Sequence, residues 1–312
     1  MPTDPGLATT SDQLVLAAIL LYVVAMIGYA LDLGFGRVRS AAVPAREPVL
    51  AGGPGAPAEP AEPPARPDPP PAWAARAGTA AVVLSWLGWA ANLGALVARG
   101  VAVGRWPWGN MYEFVVAISL AAMTAFLLMQ PRRPVRFIGA FVSVAAALCL
   151  GFAVRYLHVD AGPVIPALNS YWIAIHVSAA ILASGLFIVA GVAGLVFLVR
   201  GDGPSRLPGR VELEAIAHRA IVVAFPIWTF AVIAGAMWAD KAWGRYWGWD
   251  PKEVWAFITW IAYAAYLHAK ATAGWRGRAA TIVQLIAFAC LIFNLVGVNI
   301  FIPGLHSYAE VP

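Results

Sequence analysis

The residues best equipped for chemistry are five histidines and one tryptophan-dense loop. The loop runs from Trp243 to Trp255 as Trp-Gly-Arg-Tyr-Trp-Gly-Trp-Asp-Pro-Lys-Glu-Val-Trp, with Trp238 just ahead of it. Trp243, Trp247, Trp249 and Trp255 offer flat π-faces and indole N–H donors, while Gly244 and Gly248 let the backbone turn tightly or approach a flat ligand. Asp250-Pro251-Lys252-Glu253 then predicts a helix start, with Asp250 as N-cap, Pro251 in the first turn and Glu253 as the reciprocal cap. The aromatic platform therefore sits on the rim of a helix. Tryptophans also gather in belts where membrane helices meet water. A belt alone does not explain why these share a segment with two glycines, an Asp-Pro step and the cations Lys241, Arg245 and Lys252.

The elements that position these residues follow from composition. With 61% hydrophobic and 12% charged residues, the 312-residue chain is not an ordinary soluble domain. The pattern predicts an all-α polytopic membrane protein. Spans of about 20 apolar residues fall near 13–35, 77–98, 112–130, 135–155, 170–200, 217–239, 251–272 and 279–302, which predicts eight transmembrane helices. The first lacks a basic leader and a small-residue cleavage site, and reads as a retained helix. Three regions result: a first helix with a short N-terminus (1–36), a Pro/Ala-rich linker (37–76) and a membrane domain (77–312). The linker has too few large apolar side chains to pack and reads as a flexible cytoplasmic tether.

Lysines and arginines set the orientation. Fifteen lie in one set of alternate loops and six in the other, the latter being Arg99, Arg105, Arg155, Lys241, Arg245 and Lys252. The richer set belongs in the cytoplasm, so both termini and the tryptophan-rich loop face outward. The net charge of +5 includes no dense basic run that would suit nucleic acid. Cys149 and Cys290 sit in apolar runs and read as small hydrophobes; without Cys-x-x-Cys-His the chain is not itself a c-type cytochrome.

Topology sorts the histidines. His176 falls about two turns into the fifth helix, after Asn169 and Ser170 as candidate caps, and His306 follows Pro303-Gly304 in the outward tail. Both share a side with the tryptophan loop. Haem iron takes axial ligands above and below its plane, imidazole commonly among them. Two such histidines can clamp that disc beside an aromatic shelf; either alone reads first as a hydrogen-bonded, non-ligating residue. His268, on the seventh helix toward the inner half of the bilayer, is an intramembrane ionisable group and a functional candidate on that ground. His218 and His158 read as surface residues. Lys241, Arg245 and Lys252 suit either haem propionates or lipid phosphates. Asp250 is accounted for by its capping role and only secondarily by the site. No side chain stands out as a general acid or base.

The Trp-rich stretch, with its Trp-Asp-Pro-Lys-Glu ending, resembles the "WWD" signature of haem-handling proteins, and most closely the CcsA/ResC family, the membrane subunit of the System II cytochrome c synthase. Three other segments share the likeness: Asn110-Met-Tyr-Glu113, Leu168-Asn-Ser-Tyr-Trp172 ahead of His176, and Gly304-Leu-His-Ser-Tyr308. The resemblance spans roughly residues 80–312. It implies His176 and His306 as ligands of an external haem iron and His268 as the ligand of a transmembrane haem. Trp243, Trp247, Trp249, Asp250 and Trp255 would shape the site. It further implies haem b as a transiently bound substrate, passed outward and joined through thioethers to Cys-x-x-Cys-His of apocytochrome c. The implied setting is the cell membrane, with a CcsB/ResB-type partner and, indirectly, thiol-reducing proteins. Two alternatives stand beside it: a haem exporter or chaperone without ligase activity, as in the related System I proteins, and a non-haem membrane scaffold or quinone-binding subunit.

Overall fold

A computed structural model describes residues 3–35, 71–131, 135–164, 168–201 and 206–306. Most of the expected tether, and the Ser307-Tyr308 that follow His306, lie outside them. The described residues are overwhelmingly helical and build an all-α polytopic membrane protein. The helices are α1 (Pro5–Phe35), α2 (Ala72–Val103), α3 (Met111–Met129), α4 (Gly139–Phe152), α5 (Tyr171–Val199), α6 (Arg210–Trp243), α7 (Pro251–Thr272) and α8 (Gly277–Ile292). A π-helical segment, Phe293–Gly297, carries α8 on into the short α9 (Val298–Phe301). Seven of the segments are long and apolar enough to cross a membrane. α7 has 22 residues, the length of a span, but Lys252, Glu253, His268 and Lys270 dilute its apolar character.

Spacing in the sequence explains the packing. α1 buries Ser11, Val15, Ala18, Tyr22, Ala25 and Tyr29, alternating steps of four and three that draw one stripe along a helix. α2 answers with Gly78, Ala81, Ser85, Gly88, Asn92 and Ala95. Small residues let the two backbones close up: a Cβ on Gly28 would stand 2.9 Å from the Ala77 carbonyl oxygen, and one on Gly88 would stand 2.7 Å from the Tyr22 ring. α5 is apolar all round, which marks a helix enclosed by others. It packs against α3, α6 and α8, and its buried residues begin at Ala179, two turns in. α7 is tied to α6 by two indoles, Trp228 Nε1 donating to the Ala256 carbonyl (3.2 Å) and Trp260 Nε1 to Thr229 Oγ1 (2.9 Å).

A buried ion network joins the start of α1, the end of α2 and the start of α3. Arg99, counted above among the outward-loop cations, lies on α2 itself at 2% exposure. Its Nε meets Glu113 Oε1 at 3.1 Å, its Nη2 donates to the Val159 carbonyl, and Asp12 lies 3.8 Å from Nη1. Arg105 adds a bond to Glu113 Oε2 at 2.8 Å, and Gly109 N–H donates to the same oxygen at 2.7 Å. Glu113 is therefore a buried counter-ion for two arginines as well as a first-turn carboxylate. His158 is exposed, as expected, yet its Nε2 lies 3.3 Å from Asp12 Oδ2. The network fixes the 104–110 loop, which carries Trp108 and Asn110 toward the cavity described next.

Candidate functional site

The helix starts around the site are built as their sequences direct. Ser170 caps α5, accepting from Trp172 N–H at 3.3 Å, which sets His176 on the helix's second turn. Asn110 caps α3 through Glu113 N–H at 2.9 Å. At α7 the full capping box forms: Asp250 accepts from Lys252 N–H (3.2 Å), and Glu253 Oε2 accepts from Asp250 N–H (3.0 Å) and Gly248 N–H (2.8 Å). α6 ends at Trp243 with Gly244 in the left-handed region (φ 68°), and Trp249, without glycine's freedom, is also held at φ 59° just before the cap.

Between these helix ends lies a cavity with about 1090 Å³ of empty space, part of it open to solvent. His176, His306, Trp238, Trp243, Trp247 and Lys252 all line it. The two imidazoles are 130 residues apart in sequence, yet both meet one indole: Trp238 lies parallel to His176 at 6.2 Å (6°) and edge-on to His306 at 5.6 Å. Trp243 packs edge-on to His306 at 5.0 Å.

Hydrogen bonding fixes the tautomers. His176 Nδ1 lies 2.8 Å from the Ala231 carbonyl, which can only accept, so Nδ1 carries the proton and the lone pair belongs to Nε2. His306 Nδ1 lies 2.7 Å from Asp250 Oδ2, and the same logic puts the lone pair of the neutral ring on Nε2. A carbonyl or carboxylate on the far nitrogen is the arrangement that orients a metal-ligating histidine and raises its basicity. Gly235 makes the first contact possible, because a Cβ there would stand 2.8 Å from both Cε1 and Nδ1 of His176. Burial alone would raise the Asp250 carboxyl. The bonds from His306 and from Leu305 N–H (2.6 Å) outweigh it and hold the carboxyl below its ordinary range. One carboxylate thus starts α7 and seats the tail that carries His306.

The other expected site residues divide. Trp243 and Trp247 line the cavity, whereas Trp249 stands 70% exposed with its ring edge-on to Trp247 at 5.8 Å. Trp255 packs on Phe293 at 4.3 Å, outside the cavity lining. His268 is on α7, 17 residues past Pro251 and so about 26 Å along the axis. It is exposed, within 3.4 Å of Thr272 Oγ1. Lys241 pairs with Asp240 at 3.2 Å on the surface, and neither it nor Arg245 lines the cavity. Three contributors carried weaker signals. Trp238 lies inside an apolar run, Gly235 shows nothing in the sequence, and Asn294 is a polar residue within a predicted span, which is itself a flag.

Fold and site together define a polytopic helical membrane protein with a tryptophan-walled chamber at one end, into which two tautomer-fixed imidazoles converge. The chain belongs to the family described as cytochrome c assembly protein, whose sequence model matches residues 108–306. That range begins at Trp108 and ends at His306, and every residue lining the chamber falls within it. Among relatives, the cytochrome c biogenesis protein CcsA of Synechococcus elongatus is 32% identical over 284 residues, covering 74% of this chain and 86% of the relative. The CcsA of Chlamydomonas reinhardtii is also 32% identical, over 228 residues, covering 68% of this chain and 64% of the relative. A solved structure of the cytochrome c haem lyase CcmF shares the fold, with a TM-score of 0.61 at 17% identity, covering 95% of this chain. The chain spans about half the length of that structure (47%).

Proposed function

We propose that this chain takes part in cytochrome c maturation by holding haem, as a substrate, in the outward chamber between His176 and His306. There it would be positioned for thioether attachment to Cys-x-x-Cys-His of apocytochrome c. The observation that carries this reading is the pair of proton-donating Nδ1 atoms. With Ala231 O and Asp250 fixing both rings, each Nε2 is the nitrogen with a lone pair, and both rings line one cavity. Family membership and the naming of the relatives support the same direction.

Haem supplies the vinyl groups to which thiols add; the chain's part is geometric. His176 on α5 and His306 in the turn after α9 would hold the iron, and Trp238, Trp243 and Trp247 supply apolar, flat walls. Fixed orientation would favour attack by raising the effective concentration of correctly placed partners. The acceptor's own histidine would displace one of the two imidazoles. For His268 we propose a transmembrane haem site. The side chain is exposed on α7, so a second ligand there comes most simply from another chain, in keeping with a CcsB/ResB-type partner. In this reading the protein sits in the cell membrane with its chamber on the outer face, the side on which the loop charges would set it.

The test is an absorption spectrum of the detergent-solubilised protein, alone and with its partner, for wild type, His176→Ala and His306→Ala. Low-spin, two-imidazole haem in the wild type and its loss in either variant are expected, together with loss of c-type cytochrome formation. Full haem and full assembly in both variants would refute the ligand assignment. Haem binding without thioether product on a Cys-containing apocytochrome peptide, even with the partner present, would favour the exporter alternative.

A further inference from the structure

The chamber is chemically lopsided. Most of its wall is apolar, and most of its polar groups are already committed. Asn110 caps α3, Asn299 Nδ2 donates to the Leu295 carbonyl at 2.7 Å, and Glu253 takes the two backbone N–H groups of the capping box. Lys252 differs. It points from the first turn of α7 into the chamber, and its Nζ makes one hydrogen bond, at 2.7 Å, to the carbonyl oxygen of Asn294. That carbonyl lies in the π-helical segment, where a widened turn alters the usual backbone pairing.

An ammonium has three N–H donors, and among the described residues no carboxylate comes within 4.0 Å of this one. The two acids beside it are engaged elsewhere, Asp250 by Leu305 N–H, His306 and Lys252's own backbone, and Glu253 as above. Beside it Asn294, 2% exposed, has a side-chain oxygen with no partner among the described residues. A half-turn of that amide would present NH2 instead. A cation with spare N–H donors, beside an amide that can turn its NH2 the same way, on a mostly apolar wall, suits an anionic, hydrogen-bonding group from a ligand.

We propose that Lys252 receives a carboxylate of the bound ligand, a propionate when the ligand is haem, with Asn294 beside it. Lys252 is thereby a positioning residue: it turns the propionate half of the porphyrin toward α7 and α8 and the vinyl half away from them. This rests on the haem reading above and selects one cation from the three that the sequence left level, since Lys241 and Arg245 do not face the chamber.

The experiment compares two probes, iron protoporphyrin IX and its dimethyl ester, titrated into the detergent-solubilised full chain. The ester keeps ring, vinyls and iron but has no carboxylate charge. Wild type should prefer the diacid by on the order of tenfold, the size of one charge-assisted hydrogen bond. Lys252→Met should erase that preference by weakening the diacid alone, and Lys252→Arg should restore it. Lys252→Gln guards against a folding artefact, because its amide can keep the bond to the Asn294 carbonyl without charge; it too should lose the preference. Neutral variants that keep the wild-type preference would overturn the assignment while leaving His176 and His306 as ligands. A wild type that binds neither porphyrin would overturn the haem reading and this inference with it.

Discussion

Replacing Asp250 by asparagine is the sharpest perturbation this geometry offers. Asparagine caps helices as well as aspartate does, so α7 does not lose its start for want of a capping residue. What changes is the sign of one atom. In the native protein Oδ1 accepts from Leu305 N–H at 2.6 Å, while Oδ2 accepts from Lys252 N–H at 3.2 Å and His306 Nδ1 at 2.7 Å. An amide has one oxygen for these three donors. With oxygen toward Lys252 and His306, its NH2 abuts Leu305 N–H and pushes the tail away; with oxygen toward Leu305, NH2 faces both other donors. In the second case His306 can only relieve the clash by moving its proton to Nε2, which removes the lone pair that faces the ligand. A hydrogen bond to a charged acceptor contributes roughly 1.5–3 kcal/mol and one to a neutral acceptor about 1. Losing a charged bond and gaining a donor–donor contact therefore costs on the order of 2 kcal/mol, about 30-fold in the placement of His306. Titrating haem into solubilised Asp250→Asn and following the low-spin band should show an affinity weaker by that factor, with free imidazole restoring the spectrum. Wild-type affinity and an unchanged spectrum would refute the role given to Asp250.

Three further outcomes follow from the packing. Gly235→Ala sets a methyl 2.8 Å from the His176 ring, which must retreat about 0.6 Å to reach ordinary contact and so strain its bond to Ala231 O; the variant should fold but bind haem through one imidazole, visible as a high-spin spectrum. Glu113→Ala leaves Arg99 and Arg105 without their shared buried counter-ion, a loss of about 3–5 kcal/mol, and should lower the thermal midpoint sharply while Glu113→Asp lowers it less. Because the Asp250 carboxyl is held below its ordinary value near 3.8, its contribution is fully present above that pH and fades as pH falls through the lower folded value; the stability gap between wild type and Asp250→Asn should stay level from pH 7 to about 4 and close below it.

The division between sequence and tertiary structure runs along the range of the forces involved. Helix positions follow from the apolar runs, although α1, α2 and α6 extend beyond them, and the starts of α5, α3 and α7 follow from Ser170, Asn110 and the Asp250/Glu253 box, because capping joins residues two or three positions apart. His176 and His306 could be set on one side of the membrane from loop charge alone. Sequence could not tell that Asp250 also binds His306 and Leu305, 56 and 55 positions away, since a cap motif is complete without them. Nor could it tell that Arg99 is buried, because a cation at a helix end reads as a loop residue until Glu113 and Val159 are brought to it. Four tryptophans in thirteen residues read as one shelf; folding turned Trp243 and Trp247 to the chamber, Trp255 onto Phe293 and Trp249 to the exterior. Which face an aromatic presents depends on the left-handed turn at Trp249 and the packing of α7 on α6, and those are decided by contacts between helices, not by neighbours along the chain.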